Sequence, residues 1–136
     1  MPMKYLSKLK NARIIQITNN EGYLDESGSA SVIIILSDGT KLRVNYWRII
    51  KEKRHLISCF DHQQKYDLPA PINAKEELRK AFQGKKVISA QLDKETGDLI
   101  LHLTGNLEFQ ILNFTGYEIW EISFPDGNVE YSNHAK

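Results

Sequence analysis

Val32, Ile34 and Leu36, then Leu42 and Val44, are apolar at alternate positions, with Asp38-Gly39 between the two runs. A period of two places one side of each run in a core and the other in solvent, the pattern of half-buried strands. An offset of 67 residues carries these positions onto Leu99, Leu101, Leu103, Phe109 and Ile111, and lays Asp38-Gly39 over Gly105-Asn106. Both dipeptides suit a two-residue hairpin turn that needs positive φ. A second offset, 73, relates Trp47 to Trp120 and Ile49 to Ile122, and upstream Leu9 to Phe82, Asn11 to Gly84, Arg13 to Lys86 and Ile15 to Ile88. The difference is absorbed by "LNFTGY" in the second half and by the loop "NEGYLDESGSAS" in the first. The pattern predicts an internal duplication, with repeats at about 4–61 and 74–134 and a connector over 62–73.

Each repeat has the same grammar. A short helix is clearest in "NAKEELRKAFQG": Asn73 is the expected N-cap, Glu76 completes a capping box and Gly84 stops the helix. Leu78 and Phe82 form its apolar stripe. A strand, a hairpin, the tryptophan strand and a last short strand follow. Pro125-Asp126-Gly127 is a strong turn before that last strand, and Glu52-Lys53-Arg54 a weak counterpart. Pro69 and Pro71 exclude helix from the connector. The expected fold is α+β, a β-rich single domain over 1–136 built from two pseudo-symmetric helix-plus-antiparallel-sheet repeats that bury their sheet faces against each other.

Composition limits the function. Among 136 residues, 18 Lys and Arg face 17 acids, and a net charge of +1 argues against general adhesion to nucleic acid or anionic membrane. The single cysteine, Cys59, excludes an internal disulfide and leans towards a reducing compartment. The start "MPMKYLSKLK" lacks an apolar signal region and the longest apolar run is "VIIIL", so the expected location is the cytoplasm, with no membrane contact.

No motif fixes a reaction. "CFDH" gathers Cys59, Asp61 and His62 but lacks further ligands at metal spacing, so no metal site and no cofactor is expected. Arg54 and His55 could lower the Cys59 pKa, although a lone cysteine at a strand end is more often a small buried hydrophobe. "SGSAS" lacks the strand–nucleophile–helix setting of an esterase elbow, and "GKK" at 84–86 follows a helix where a phosphate loop would precede one. The chain is read as a non-enzyme. Trp47, Arg48, Tyr117, Glu118 and Trp120 form an expected cluster between the repeats, with Glu118 bridging Arg48 as a structural fastening or lining a ligand pocket. The run Arg48, Lys51, Lys53, Arg54 and His55 reads as a charged hairpin edge that discourages aggregation in preference to a nucleic-acid site.

"LRVNYWRI", "FQGKKVISAQLD" and "GYEIWEISFPDG" together resemble a group of small uncharacterised bacterial proteins with a Trp-Arg strand in the first half and a Tyr-Glu-x-Trp strand in the second. Some domains of this look accompany secreted toxins, and the resemblance implies an immunity protein that neutralises a partner toxin by direct binding. In such a binding module the acidic loop offers Glu21, Asp25 and Glu26 as contacts, with Tyr23 as an aromatic anchor. The alternative is a small-ligand domain with its pocket between the repeats, beside Trp47 and Trp120.

Overall fold

The computed structural model describes residues 6–20, 30–114 and 120–132. Among them are β1 (Ile14–Asn19), β2 (Val32–Leu36), β3 (Lys41–Val44), β4 (Trp47–Lys51) and β5 (Arg54–Ser58), then helix α1 (Ala74–Phe82). The second half supplies β6 (Val87–Leu92), β7 (Leu99–Leu103), β8 (Leu107–Ile111), β9 (Trp120–Ser123) and β10 (Val129–Tyr131). The strands form two antiparallel five-stranded sheets, ordered β1-β2-β3-β9-β10 and β5-β4-β8-β7-β6. The described residues are thus β-rich with one α-helix, and none of their helices is long and apolar enough to cross a membrane.

The alternation read in the sequence is what the strands bury. β2, β7 and β8 each bury every second residue, and those side chains join Trp47, Ile49, Trp120 and Ile122 in one apolar core with Leu78 and Phe82 of α1. Phe82 meets Phe109 edge to face, with ring centroids 4.9 Å apart, a geometry worth about 0.5–1.5 kcal/mol beyond the area it buries. Asn73 caps α1 by accepting the Glu76 N–H. The reciprocal half of the expected capping box is missing, because the Glu76 carboxylate bonds Arg79 instead.

The sheets are not divided one to each half of the chain. Each sheet takes three strands from one half of the chain and two from the other. The cause is local: only Asn45 and Tyr46 separate β3 from β4, and they form a bend that hands the chain to the second sheet instead of a hairpin that would return it to the first. Asn45 is held inside by the Ser31 hydroxyl, which donates to its Oδ1 at 2.8 Å, while Asn20 Nδ2 donates to the same hydroxyl at 2.9 Å. The helix expected before β1 is described only as a 3-10 turn, Ser7–Leu9.

The two sequence offsets recur in the hydrogen bonding. Asn11 donates its N–H to Val87 O and Gly84 to Ile14 O, while Ile14 donates to Lys85 O and Val87 to Ala12 O. Asn11 and Gly84 both hold left-handed backbone, φ 73° and 77°. Val44 pairs with Trp120 just as Ile111 pairs with Trp47. Trp47 Nε1 donates to Ala30 O at 2.9 Å and Trp120 Nε1 to Gly97 O at 2.8 Å. The pairing skips Ile15 in β1 and Ile88 in β6, and these bulged residues turn outward, which explains two exposed isoleucines.

The expected two-residue turns are three-residue loops. Leu36 closes on Thr40 around Ser37-Asp38-Gly39, and Leu103 pairs with Leu107 around Thr104-Gly105-Asn106. Gly39, Gly105 and Asn106 have positive φ, but Asp38 does not, because a three-residue loop needs the left-handed conformation only near its end. The two-residue turn is instead Glu52-Lys53, with φ of 50° and 67°, values that suit Asn-Gly far better. Replacing Glu52-Lys53 by Asn-Gly is therefore expected to stabilise the fold by roughly 1 kcal/mol, read as a higher urea midpoint; an unchanged or lower midpoint would refute the strain at this turn.

Candidate functional site

The sequence singled out Trp47, Arg48, Tyr117, Glu118 and Trp120. Tyr117 and Glu118, like Glu21, Tyr23, Asp25 and Glu26 of the acidic loop, lie outside the described residues. Trp47 and Trp120 are core residues, 0% and 2% exposed, and Trp47 packs on Phe109. Arg48 points the other way, out of the second sheet. There its Nε donates to Gln110 Oε1, Gln110 Nε2 reaches Glu108, and His102 lies between Glu108 (3.9 Å) and Gln91 (3.4 Å). This polar row crosses β4, β8, β7 and β6 in turn. Its counterpart on the first sheet is the Arg43–Glu121 ion pair at 3.3 Å, so Glu121 is engaged across β3 and β9. Alternation along β4 puts Arg48 on the opposite face from the buried Trp47.

"CFDH" is a structural joint. Cys59 is buried, receives the Trp47 N–H at its Sγ, and has its thiol pushed up to about 11, chiefly by burial. The lowered cysteine pKa considered from Arg54 and His55 is therefore overturned, and at neutral pH the thiol carries little of the nucleophilic thiolate. Ser58 Oγ accepts the Phe60 N–H, and the Asp61 carboxylate accepts both the Ser58 N–H and the Tyr66 hydroxyl. His62 Nδ1 accepts the Ala74 N–H at 3.0 Å, at the first turn of α1. Among the described residues no three His, Cys, Asp or Glu side chains gather as metal ligands.

Exposed apolar side chains flank this joint. Seven large hydrophobic residues are exposed among those described; two are the bulged Ile15 and Ile88. The other five come together in sequence or space: Leu56, Phe60, Tyr66 and Leu68 lie within one short segment, and Phe114 packs on Phe60. Phe60 and Phe114 are each 58% exposed and both meet Tyr46, with ring centroids 5.8 and 5.4 Å from it. Tyr46 is the residue at which the chain changes sheets, so the rings gather where the two sheets are joined.

The connector shapes the rest. It carries no helix or strand, as its prolines require, and folds back on itself: Gln63 donates to Ile72 O and Ile72 to Gln64 O, both at 2.8 Å. Gln63, Tyr66 and Asp67 hold positive φ to make the reversal, which turns Tyr66 and Leu68 outward. Between this loop, β5 and α1 lies an open cavity of about 620 Å³, lined by Leu56, Leu68, Pro69, Ile72, Glu76 and Lys80 among others. A second, of about 640 Å³, lies beside the polar row and is lined by Ile50, Lys53, Ile88, His102 and Glu108 among others. Neither is lined by Trp47 or Trp120.

The sequence reading missed Tyr46, Leu56, Phe60, Tyr66, Leu68 and Phe114. The available signal was the presence of Phe60, Tyr66 and Leu68 in an otherwise polar, proline-bearing connector that no period assigned to a core.

No family model, curated protein or solved structure matches the chain.

His62 gives the site a pH dependence. Burial first, and then the nearby Lys75, lower its pKa from the ordinary 6.5. The folded state thus favours neutral imidazole, whose Nδ1 accepts the Ala74 N–H. That stabilisation is complete above pH 6.5 and is lost as pH falls through the lowered folded value. The difference in unfolding free energy between wild type and His62→Gln is expected to change between pH 7.5 and 5, with the wild type losing more. A pH-independent difference, by urea titration at each pH, would contradict this role.

Proposed function

We propose that the chain is a non-catalytic protein-binding module whose partner seats on the face made by Tyr46, Leu56, Phe60, Tyr66, Leu68 and Phe114. The supporting observations are the exposed rings of Phe60 and Phe114 gathered at Tyr46, and the exposure of Leu56, Phe60, Tyr66 and Leu68 along one short stretch of chain. Scattered apolar residues are ordinary on a soluble surface, whereas a contiguous, aromatic-rich group characterises the centre of protein interfaces. The Phe60 backbone is fixed by Ser58 and the Tyr66 hydroxyl by Asp61, which lowers the conformational freedom lost on docking. On the resemblance noted in the sequence, the proposed partner is a bacterial toxin neutralised by direct binding in the cytoplasm. We read the chain as one domain formed by duplication, in which the repeats at about 4–61 and 74–134 exchange their last two strands.

Phe60→p-benzoylphenylalanine, placed in the full chain and irradiated in the native host, is expected to give one discrete protein adduct that survives nuclease. The same substitution at Glu95, in an exposed turn of the second half, is expected to give none. Equal adducts at both positions, no adduct at position 60, or an adduct removed by nuclease would refute this site.

A further inference from the structure

The hairpin beside this face carries a charge arrangement that works against its own stability. Lys51 and Arg54 are direct partners across the β4–β5 pairing, where like charges repel. Lys53 and His55 flank them, and all four side chains are exposed. Among the described residues no carboxylate makes an ion pair with any of them. Glu52 is the one acid in the run, and it sits in the left-handed turn, its N–H bonded to Asn106 O. Opposed cations and a non-glycine turn at one hairpin are two departures from local stability, and such departures concentrate where a chain is shaped for binding.

Leu56, on the wall of the apolar cavity, lies two residues after Arg54 on β5. Leu56 follows His55, is skipped by the β4–β5 pairing, and stands 51% exposed on the cavity wall. On the opposite wall the acids carry their own cations: Glu76 pairs with Arg79 at 3.1 Å and Glu77 with Lys80 at 3.8 Å. With those acids paired, the nearest cations along the hairpin outside any ion pair among the described residues are Arg54, two residues before Leu56 on β5, and its cross-strand partner Lys51. β5 is also an edge strand, hydrogen-bonded to β4 alone within its sheet.

We infer that the occupant is an acidic segment of a protein partner, which places a large apolar side chain against Leu56 and Leu68 and carboxylates against Lys51 and Arg54. This rests on the protein-binding reading above and adds the partner's chemistry to it. A single-stranded nucleic acid would satisfy the cations, but the exposed rings pack on one another and the groove wall is aliphatic and proline-rich, which favours a peptide.

The test selects random displayed peptides on the immobilised full chain and measures the affinities of the enriched sequences for wild type, K51E/R54E and L56D/L68D. The altered side chains are exposed, and far-UV circular dichroism with urea midpoints checks that each variant folds. Asp and Glu next to a large apolar residue are expected to be enriched, with binding weakened about tenfold or more by K51E/R54E and by added salt. Loss of binding on L56D/L68D is expected for every enriched sequence. Neutral or basic sequences, or affinities untouched by K51E/R54E, would overturn the acidic partner while leaving the apolar face intact if L56D/L68D still abolishes binding. No enrichment, indifference to L56D/L68D, or tighter binding of a fluorescent oligothymidine than of any peptide would overturn both.

Discussion

The two residues between β3 and β4 constrain the rest of the molecule. A hairpin there would have kept the first five strands in one sheet and left that sheet's apolar face to be covered by a separate unit. The bend at Asn45 and Tyr46 sends β4 and β5 across to the other half, and β9 and β10 come back to pair with β3. Both sheets then contain both halves, so neither half can unfold without breaking ladders in each. Asn45 turns inward to a buried polar group with Ser31 and Asn20, and Tyr46 turns outward to Phe60 and Phe114. A single bend thus sets the topology and founds the exposed aromatic face.

Much of this was legible in the sequence because it is periodic. The alternating runs at Val32–Leu36 and Leu99–Leu103 gave strands with the correct buried face, and the offsets of 67 and 73 correspond to matched pairings and matched tryptophan hydrogen bonds. Asn11 and Gly84 were readable as left-handed positions because few residues tolerate them. What periodicity does not encode is which sheet a strand joins. Trp47 and Ile49 bury the same side chains whether β4 pairs with β3 or with β8, so the exchange left no mark on the alternation.

The site was less legible, for a related reason. Trp47 and Trp120 drew attention as rare, large residues, and burial is what large apolar residues ordinarily undergo. Phe60 and Phe114 are no less apolar, yet they are exposed because Phe60 sits in a capped 3-10 turn and Phe114 just beyond the end of β8. Their meeting with Tyr46 joins three distant parts of the chain, which spacing alone cannot reveal. The basic hairpin was visible as a run, but its cost was not: Lys51 and Arg54 oppose each other only once the turn is known to be Glu52-Lys53. Leu56 and Leu68 line the groove, and Phe60 and Phe114 meet at Tyr46, so each grouping draws on parts of the chain that spacing does not bring together.

Mapping the bound surface by backbone amide chemical shifts tests this most directly, with the protein recovered through the Phe60 adduct titrated into the isotope-labelled chain. The expected result is a set of shifts concentrated at Tyr46, Arg54–Ser58, Phe60, the 66–72 loop and Phe114, with Ile100, His102 and Gln91 on the outer face of the second sheet unmoved. Shifts concentrated on that outer face, or spread evenly over both sheets, would contradict the assignment of the binding surface.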